Sequence, residues 1–380
     1  QEENREIERK HSGGKPSSFL LDWGRSYEKA GRTMVTIRDV AGKSGVSVTT
    51  VSMVLNDGPP AHRISGPTQK RIREVANRLG YRPNLFARSL RSNRSRTLGV
   101  LVFDITDPYC AQIVRAIETH LQTCGYFPVL ADMRNDRAQF QRCLDRLLGQ
   151  QVEGVIAIAN WTHLETKLET EISKRGVPAV MIGRDLAGNP ISSVVVDNKA
   201  GTSLALRHLY ELGHRKIAFI RGPRPLVDSA QRWQGLESYA REVGLKFNPK
   251  LIVEIKGGNS TYSEGYELTE SLLRRNLDFT ALVAFDDLTA CAAIRALTKS
   301  GRAVPNTCSV VGFDDIPTSE FYNPPLTTVH QKLELQGSLA AEIIDELIRA
   351  SVEKRAIQPK HRKVAPKLII RESTGPSPRS

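Results

Sequence analysis

No apolar run in the sequence approaches the roughly 18 residues that a membrane-spanning helix needs. The opening stretch, QEENREIERKHSGGKPSSF, is polar and charged and has no apolar core of the secretory kind, so a cytoplasmic location and no membrane partner are expected. Cysteine is scarce. Cys110, Cys124, Cys143, Cys291 and Cys308 form no C-x-x-C pair, and buried reduced thiols are expected rather than a metal site or a disulfide framework. Gly42-Lys43-Ser44 has the ending of a phosphate-binding loop, but Ile37 stands where its first glycine belongs and no strand precedes it. No G-x-G-x-x-G follows the first expected strand, and neither G-x-S-x-G nor H-E-x-x-H occurs. The histidines are scattered, so no catalytic group, metal or cofactor is expected. The final STGPSPRS carries no heptad repeat, which favours a homodimer over a tetramer held by a C-terminal coiled coil.

What is present is an ordinary soluble composition over 380 residues, 40% hydrophobic and 25% charged. The net charge of +13 is unevenly placed. Residues 34–96 hold twelve Lys/Arg against three acids (Asp39, Asp57, Glu74), whereas residues 1–33 are nearly neutral. A field so localised is what attracts a phosphate backbone, and a polyanion partner accounts for it better than a merely solvated basic face.

Periodicity divides the chain. Residues 1–33 have no steady pattern and are expected to form a mostly disordered extension. From Thr36 the pattern is helical: Ile37, Val40 and Ala41 share a face and Gly45 breaks the helix. Ser47 can cap a second helix with Val51, Val54 and Leu55 inward, which Asn56-Asp57-Gly58-Pro59-Pro60 stops. Ser65 and Pro67 start a third, with Ile72, Val75, Ala76 and Leu79 inward and Gly80 ending it. Two short helices around a glycine turn, with a supporting third, match a helix-turn-helix unit over 34–82. Residues 83–96 form a short basic segment and a polar linker. Beyond Thr97 the texture becomes strand then helix, repeated. Apolar strands are expected at 98–103, 127–132, 153–159, 178–183, 193–197, 216–222, 251–255, 281–285 and 309–314. Runs apolar on both faces belong to parallel sheets covered on both sides, so a doubly wound α/β region in two similar lobes follows, with a ligand crevice at the carboxyl ends of the strands.

TIRDVAGKSGVSVTTVSMVLN (36–56), YRPNLFARSLRSNRSRTLGV (81–100), DPYCAQIVRAIE (107–118), VVVDNKAG (194–201), HLYELGHRKIAFIRGP (208–223) and SVVGFDDIPTSEFYNPPLTTVHQ (309–331) together resemble the lactose-repressor (LacI/GalR) family of bacterial regulators. The resemblance runs from residue 34 to about 373. It implies a small all-α helix-turn-helix head, a hinge helix, and a two-lobed α/β core of the periplasmic-binding-protein type (97–373), with crossovers near Asp197, Gln331 and His361 and a tail at 374–380. It places Val48, Thr49 and Met53 against base edges of a double-stranded, pseudo-palindromic operator. Thr36, Ser47, Thr50, Ser52 and Asn56 would hold phosphates, which sets register and not sequence. Leu90 matches a leucine that wedges into the minor groove, with Ala87 and Arg91 beside it. Two turns are too short for a stable isolated helix, so residues 84–91 are expected to order when two copies meet on DNA. In the crevice Tyr109, Asn160, Arg184, Arg232, Phe285, Asp286, Asp314 and Gln331 match ligand-contacting positions. A guanidinium fork beside a carboxylate suits the vicinal hydroxyls of a carbohydrate effector, the plainer alternative being a structural ion pair of Arg232 and Asp314 across the cleft. Gly183 and Ser260 depart from the acid and the aromatic of some relatives. The expected function is a transcriptional repressor under small-molecule control. Two other readings share the core: a transporter's solute-binding module, which would need a signal peptide and no basic head, and an enzyme, which would need a catalytic constellation.

Overall fold

Thr36 starts the head because Asp39 reaches back to it: the Thr36 N–H and hydroxyl donate to the Asp39 carboxylate at 2.7 and 2.8 Å. Helix α1 (Ile37–Ser44) ends at Gly45, whose φ of 63° is a left-handed conformation that costs glycine little. The Thr50 N–H donates to Ser47 Oγ at 3.1 Å and so caps α2 (Val48–Leu55). Helix α3 (Gly66–Leu79) completes the unit, and Val40, Ala41, Val51, Val54, Ile72 and Ala76 form its core.

These elements come from a computed structural model that describes residues 35–55, 63–82, 94–136, 138–159, 161, 170, 174–356 and 358–378. The expectations for the extension 1–33 and for Asn56, Ala87, Leu90, Arg91 and Asn160 lie outside the described residues. The described residues fall into two compact units, one up to Arg82 and the other from Arg94 onward.

The second unit holds two six-stranded sheets. The first is built from β1 (Thr97–Val102), β2 (Phe127–Asp132), β3 (Val155–Ile158), β4 (Ala179–Ile182) and β5 (Ser192–Val196), with α4 (Pro108–Thr123) and α5 (Gln139–Gly149) between strands. The chain then runs through α6 (Asn198–Glu211), β6 (Ile217–Arg221), α7 (Val227–Glu242), β7 (Ile252–Glu254), α8 (Tyr262–Arg274), β8 (Ala281–Val283), α9 (Asp287–Lys299), β9 (Ser309–Asp314) and β10 (Thr327–His330). It ends with α10 (Leu333–Val352), β11 (His361–Val364) and β12 (Lys367–Ile369). Strand order is β11-β5-β4-β3-β1-β2 in the first sheet and β12-β10-β9-β8-β6-β7 in the second. All pairs are parallel except β10–β12. All nine expected strands are present. Helix α10 returns to the first lobe and packs on α4 so closely that a Cβ at Gly337 would stand 2.5 Å from the Ile113 carbonyl oxygen.

The chain passes between sheets after Val196, after His330, and between Val364 and Lys367. The third passage differs from expectation, because His361 opens β11 and pairs with Ser193 instead of lying in the crossover. Two other boundaries shift. Arg94 and Arg96, read as linker, are tied to the core: Arg94 Nε donates to Glu153 at 2.7 Å, and the Arg96 N–H donates to the same carboxylate at 2.7 Å. The expected tail is also held, since Ser377 N–H donates to the Leu212 carbonyl at 2.8 Å and buried His214 Nε2 lies 3.0 Å from the Gly375 carbonyl oxygen. Cys110, Cys291 and Cys308 are buried, but Cys124 and Cys143 are only half-buried. Among the described residues no helix is long and apolar enough to cross a membrane, and no cluster of His, Cys, Asp or Glu could hold a metal ion.

Candidate functional site

In the head, the helical period of α2 buries Val51 and Val54 and leaves Val48 and Met53 more than a third exposed. Ser47 and Thr49 are exposed and Thr50 half-buried, so the start of α2 presents short hydroxyls beside two apolar tips. Such a face can donate or accept at base edges and pack on a thymine methyl. Ser52, matched to a phosphate contact, is buried, with 8% of its surface exposed. Arg38, Lys43, Arg63, Lys70, Arg71, Arg73, Arg78 and Arg82 are exposed. The only exposed acids among the described head residues are Asp39, which Thr36 engages, and Glu74. The charge that composition showed is therefore on the surface.

In the core, residues from both lobes meet around a cavity with a free volume of about 40 Å³. That is room for about three water molecules. Phe103, Asp107 and Tyr109 come from the first lobe; Leu226, Asp228, Arg232, Asn259, Ser260, Phe285, Asp286 and Asp314 come from the second. A larger open groove of about 880 Å³ along β7 and α8 receives nothing from the first lobe. An isolated antiparallel bridge joins Trp161, after β3, to Leu226, after β6, and links the lobes beside the cavity.

Arg232 organises the second-lobe wall. It is buried on α7, with Nε donating to Asn198 Oδ1 at 3.1 Å and Nη1 to the Phe285 carbonyl at 2.6 Å. Its Nη2 faces Asp314 Oδ1 at 3.4 Å and Asp228 Oδ2 at 3.6 Å. The guanidinium also lies 3.8 Å over the Phe313 ring and 4.6 Å over Phe285. The pair with Asp314 thus lies within one lobe and does not cross the cleft. At the end of β9, Asp314 and Asp315 have φ of 128° and 59°, a conformation that costs non-glycine residues about 1–3 kcal/mol each. Asp315 is held there by Arg371 Nη2 at 2.7 Å, and Asp314 by Arg232 and the Gln331 amide. Burial pushes the Asp314 carboxyl well up, against the opposing pull of Arg232. Burial likewise lifts Asp107 to about 7, with Asp286 and Asp104 adding to it and the Tyr109 N–H opposing.

Of the matched crevice residues, Tyr109, Arg232, Phe285, Asp286 and Asp314 line the cavity together. Gln331 stands behind Asp314 and does not line it. Arg184 is elsewhere: its Nη1 donates to the Trp161 carbonyl at 3.0 Å, bracing the first-lobe side of the interlobe bridge. Phe103, Asp107, Leu226, Asp228 and Asn259 were not singled out in the sequence. The one available signal was Asp107 before Pro108, and a helix cap explains that pair fully.

Residues 36–84 match the family described as bacterial regulatory proteins, lacI family, and residues 206–374 match the periplasmic binding protein-like domain. The HTH-type transcriptional repressor PurR of Haemophilus influenzae (strain PittEE) is 34% identical over 342 residues, covering 90% of this chain and 98% of the relative. The PurR repressor of Pasteurella multocida (strain Pm70) is 32% identical over 343 residues, with the same coverage of 90% and 98%. Among solved structures, the lac repressor dimer bound to operator and the anti-inducer ONPF has a TM-score of 0.77 at 29% identity, covering 90% of this chain and 99% of that one. The transcriptional regulator CelR in complex with cellobiose has a TM-score of 0.66 at 31% identity, covering 89% and 99%.

Proposed function

The chain belongs to the lacI family of bacterial regulatory proteins, and from that premise we propose that a carbohydrate in the interlobe cavity sets the grip of a homodimer on a pseudo-palindromic operator. The protein is a DNA-binding transcriptional regulator controlled by a small effector, and not an enzyme. The observation that carries the finer reading is the Arg232–Asp314 pair, buried at the cavity wall and facing Tyr109 and Asp107 of the other lobe. A guanidinium and carboxylates offer donors and acceptors to vicinal hydroxyls, while Phe103, Tyr109 and Phe285 offer rings to the apolar face of a sugar. The cellobiose in the CelR relative supports the same class. The place of action is with the DNA, in the cytoplasm.

At the operator, Val48, Thr49 and Met53 read base edges, while Thr36, Ser47 and Thr50 hold phosphates. Leu90 wedges into the minor groove, flanked by Ala87 and Arg91, and Asn56 holds a phosphate. Wedging costs a few kcal/mol per unstacked step, offset by contacts available only on bent DNA. Effector that changes the closure of the core changes the separation of the two hinges, and so favours or forbids their pairing.

Gel shifts on operator and random DNA, with and without a sugar panel, test this. A sugar should shift operator affinity at least tenfold in the full chain and less than twofold in Arg232→Ala. Leu90→Ala should lose operator affinity far more than random-DNA affinity. Equal losses on both DNAs sink the wedge, and an unchanged response in Arg232→Ala sinks the cavity as effector site.

A further inference from the structure

The cavity is unbalanced in charge. Asp107, Asp228, Asp286 and Asp314 line it, and among the described residues only Arg232 answers them. Its guanidinium faces Asp314 and Asp228, and its other donors go to Asn198 and the Phe285 carbonyl. That leaves Asp107 and Asp286, which come from opposite lobes. Each caps a helix. Asp107 Oδ1 accepts the Tyr109 N–H at 2.9 Å at the start of α4. Asp286 Oδ1 accepts the Thr289 N–H at 2.9 Å at the start of α9, and its Oδ2 accepts the Ser260 hydroxyl. Caps and hydroxyls are dipoles: they hold a carboxylate in place but leave its charge uncancelled.

Two carboxylates from opposite lobes therefore line one space with room for about three waters. Like charges there repel with little screening, and a buried charge without a counter-charge is costly. Burial is the main cause of the rise of Asp107 toward 7, and the charge of Asp286 adds to it. A neutral polyol entering the cleft donates hydrogen bonds but brings no charge. A protonated amine brings three donors and the missing positive charge in one group.

We infer that the effector is an amine-bearing carbohydrate whose ammonium group sits between Asp107 of the first lobe and Asp286 of the second. The inference rests on reading this cavity as the effector site. The ammonium gains its second carboxylate only when the lobes close, so its charge drives closure as well as affinity. Phe103, Tyr109 and Phe285 take the ring, and Arg232 with Asp314 takes hydroxyls away from the amine.

Titration calorimetry on the full chain at pH 7 tests this with matched probes: glucose, glucosamine and N-acetylglucosamine, the corresponding galactose set, putrescine and hypoxanthine. The amino sugar should bind at least tenfold more tightly than the neutral sugar, and the N-acetylated sugar, which keeps the shape but loses the charge, should behave as neutral. In Asp107→Asn, which can still accept the Tyr109 N–H, the preference should fall below about threefold. A neutral or N-acetylated sugar binding as tightly as the amino sugar overturns the inference and leaves the carbohydrate reading standing. Putrescine binding without any sugar sinks the carbohydrate reading instead. Hypoxanthine alone, or no binding by any member of the panel, overturns both.

Discussion

At Asp107 a carboxylate that caps a helix also lines the cavity, and the two settings pull its ionisation in opposite directions. The Tyr109 N–H favours the charged form; burial, Asp286 and Asp104 favour the neutral one and bring it to about 7. An unfolded aspartate titrates near 3.9. Between those values the folded core holds a proton that the unfolded chain has released. The stability from this group is thus complete below about pH 4 and is lost as pH rises toward 7. Asp107→Asn caps equally well and does not titrate. It should melt with the wild type near pH 4 and several degrees above it at pH 8, each pKa unit being worth about 1.4 kcal/mol. Calorimetric melts of both proteins across that range check it, and a difference independent of pH would assign the shift elsewhere. The same residue shows where sequence reading stops. Tyr109 and Asp314 were legible because each sits in a block of family pattern, and Arg232, Phe285 and Asp286 because each matches a ligand-contacting position of the family. Asp107 and Asp228 were not, because an acid at a helix start already has a local explanation in capping and the helix dipole. Only the fold shows that these carboxylates share one cavity.

At the level of elements, the strands β1 to β9 were legible because each is an apolar run, and each such run is wrapped by helices as parallel sheets require. Strands β10 to β12 were not. Thr327–His330 is a buried strand written largely in threonine, while His361–Val364 and Lys367–Ile369 are short, charged edge strands. Strand β11 pairs with Ser193–Val196, far away in the sequence, so no local pattern announces it. The linker boundary was obscured likewise: a basic run gives no hint that Arg94 and Arg96 find Glu153. That carboxylate takes the Arg94 guanidinium and the Arg96 N–H while only about a tenth exposed, so it fixes where the chain leaves the first lobe. A segment that must report lobe movement needs such a fixed end. Glu153→Gln should leave binding of an active sugar within about twofold and cut the sugar-dependent change in operator affinity at least fivefold. Calorimetry paired with gel shifts separates the two, and an intact response would show that Glu153 serves stability alone.

Across the whole molecule, recognition by one helix-turn-helix covers only a few base pairs, so a pseudo-palindrome demands two heads and a core that pairs. The core carries surface suited to pairing. Phe127 and Leu130 on the edge strand β2 are 67% and 42% exposed, and Phe321 in the second lobe is 83% exposed beside Tyr322. Apolar side chains of that size on a sheet edge and a turn tip are a liability in a monomer and an asset at an interface. The turn that presents Phe321 is bound to the cavity wall. Asp287, next to cavity-lining Asp286, accepts the Ile316 N–H at 2.9 Å and the Ser319 hydroxyl at 2.7 Å through a buried carboxylate. An effector in the cavity and a partner on this tip would act on neighbouring residues of one helix start, which would give the core a route for coupling the two. Placing a charge at the tip should separate the copies without unfolding them, because Phe321 contributes little to its own lobe. Phe321→Asp should move the wild-type dimer toward monomer in sedimentation at micromolar concentration, and Phe127→Asp with Phe321→Asp should complete the shift. Both variants should keep the wild-type melting profile when it is measured at dissociating dilution. Operator affinity should fall far more than affinity for random DNA, because one head remains able to hold phosphates. A double variant that still sediments as a dimer would place the pairing surface elsewhere, and with it the coupling through Asp287.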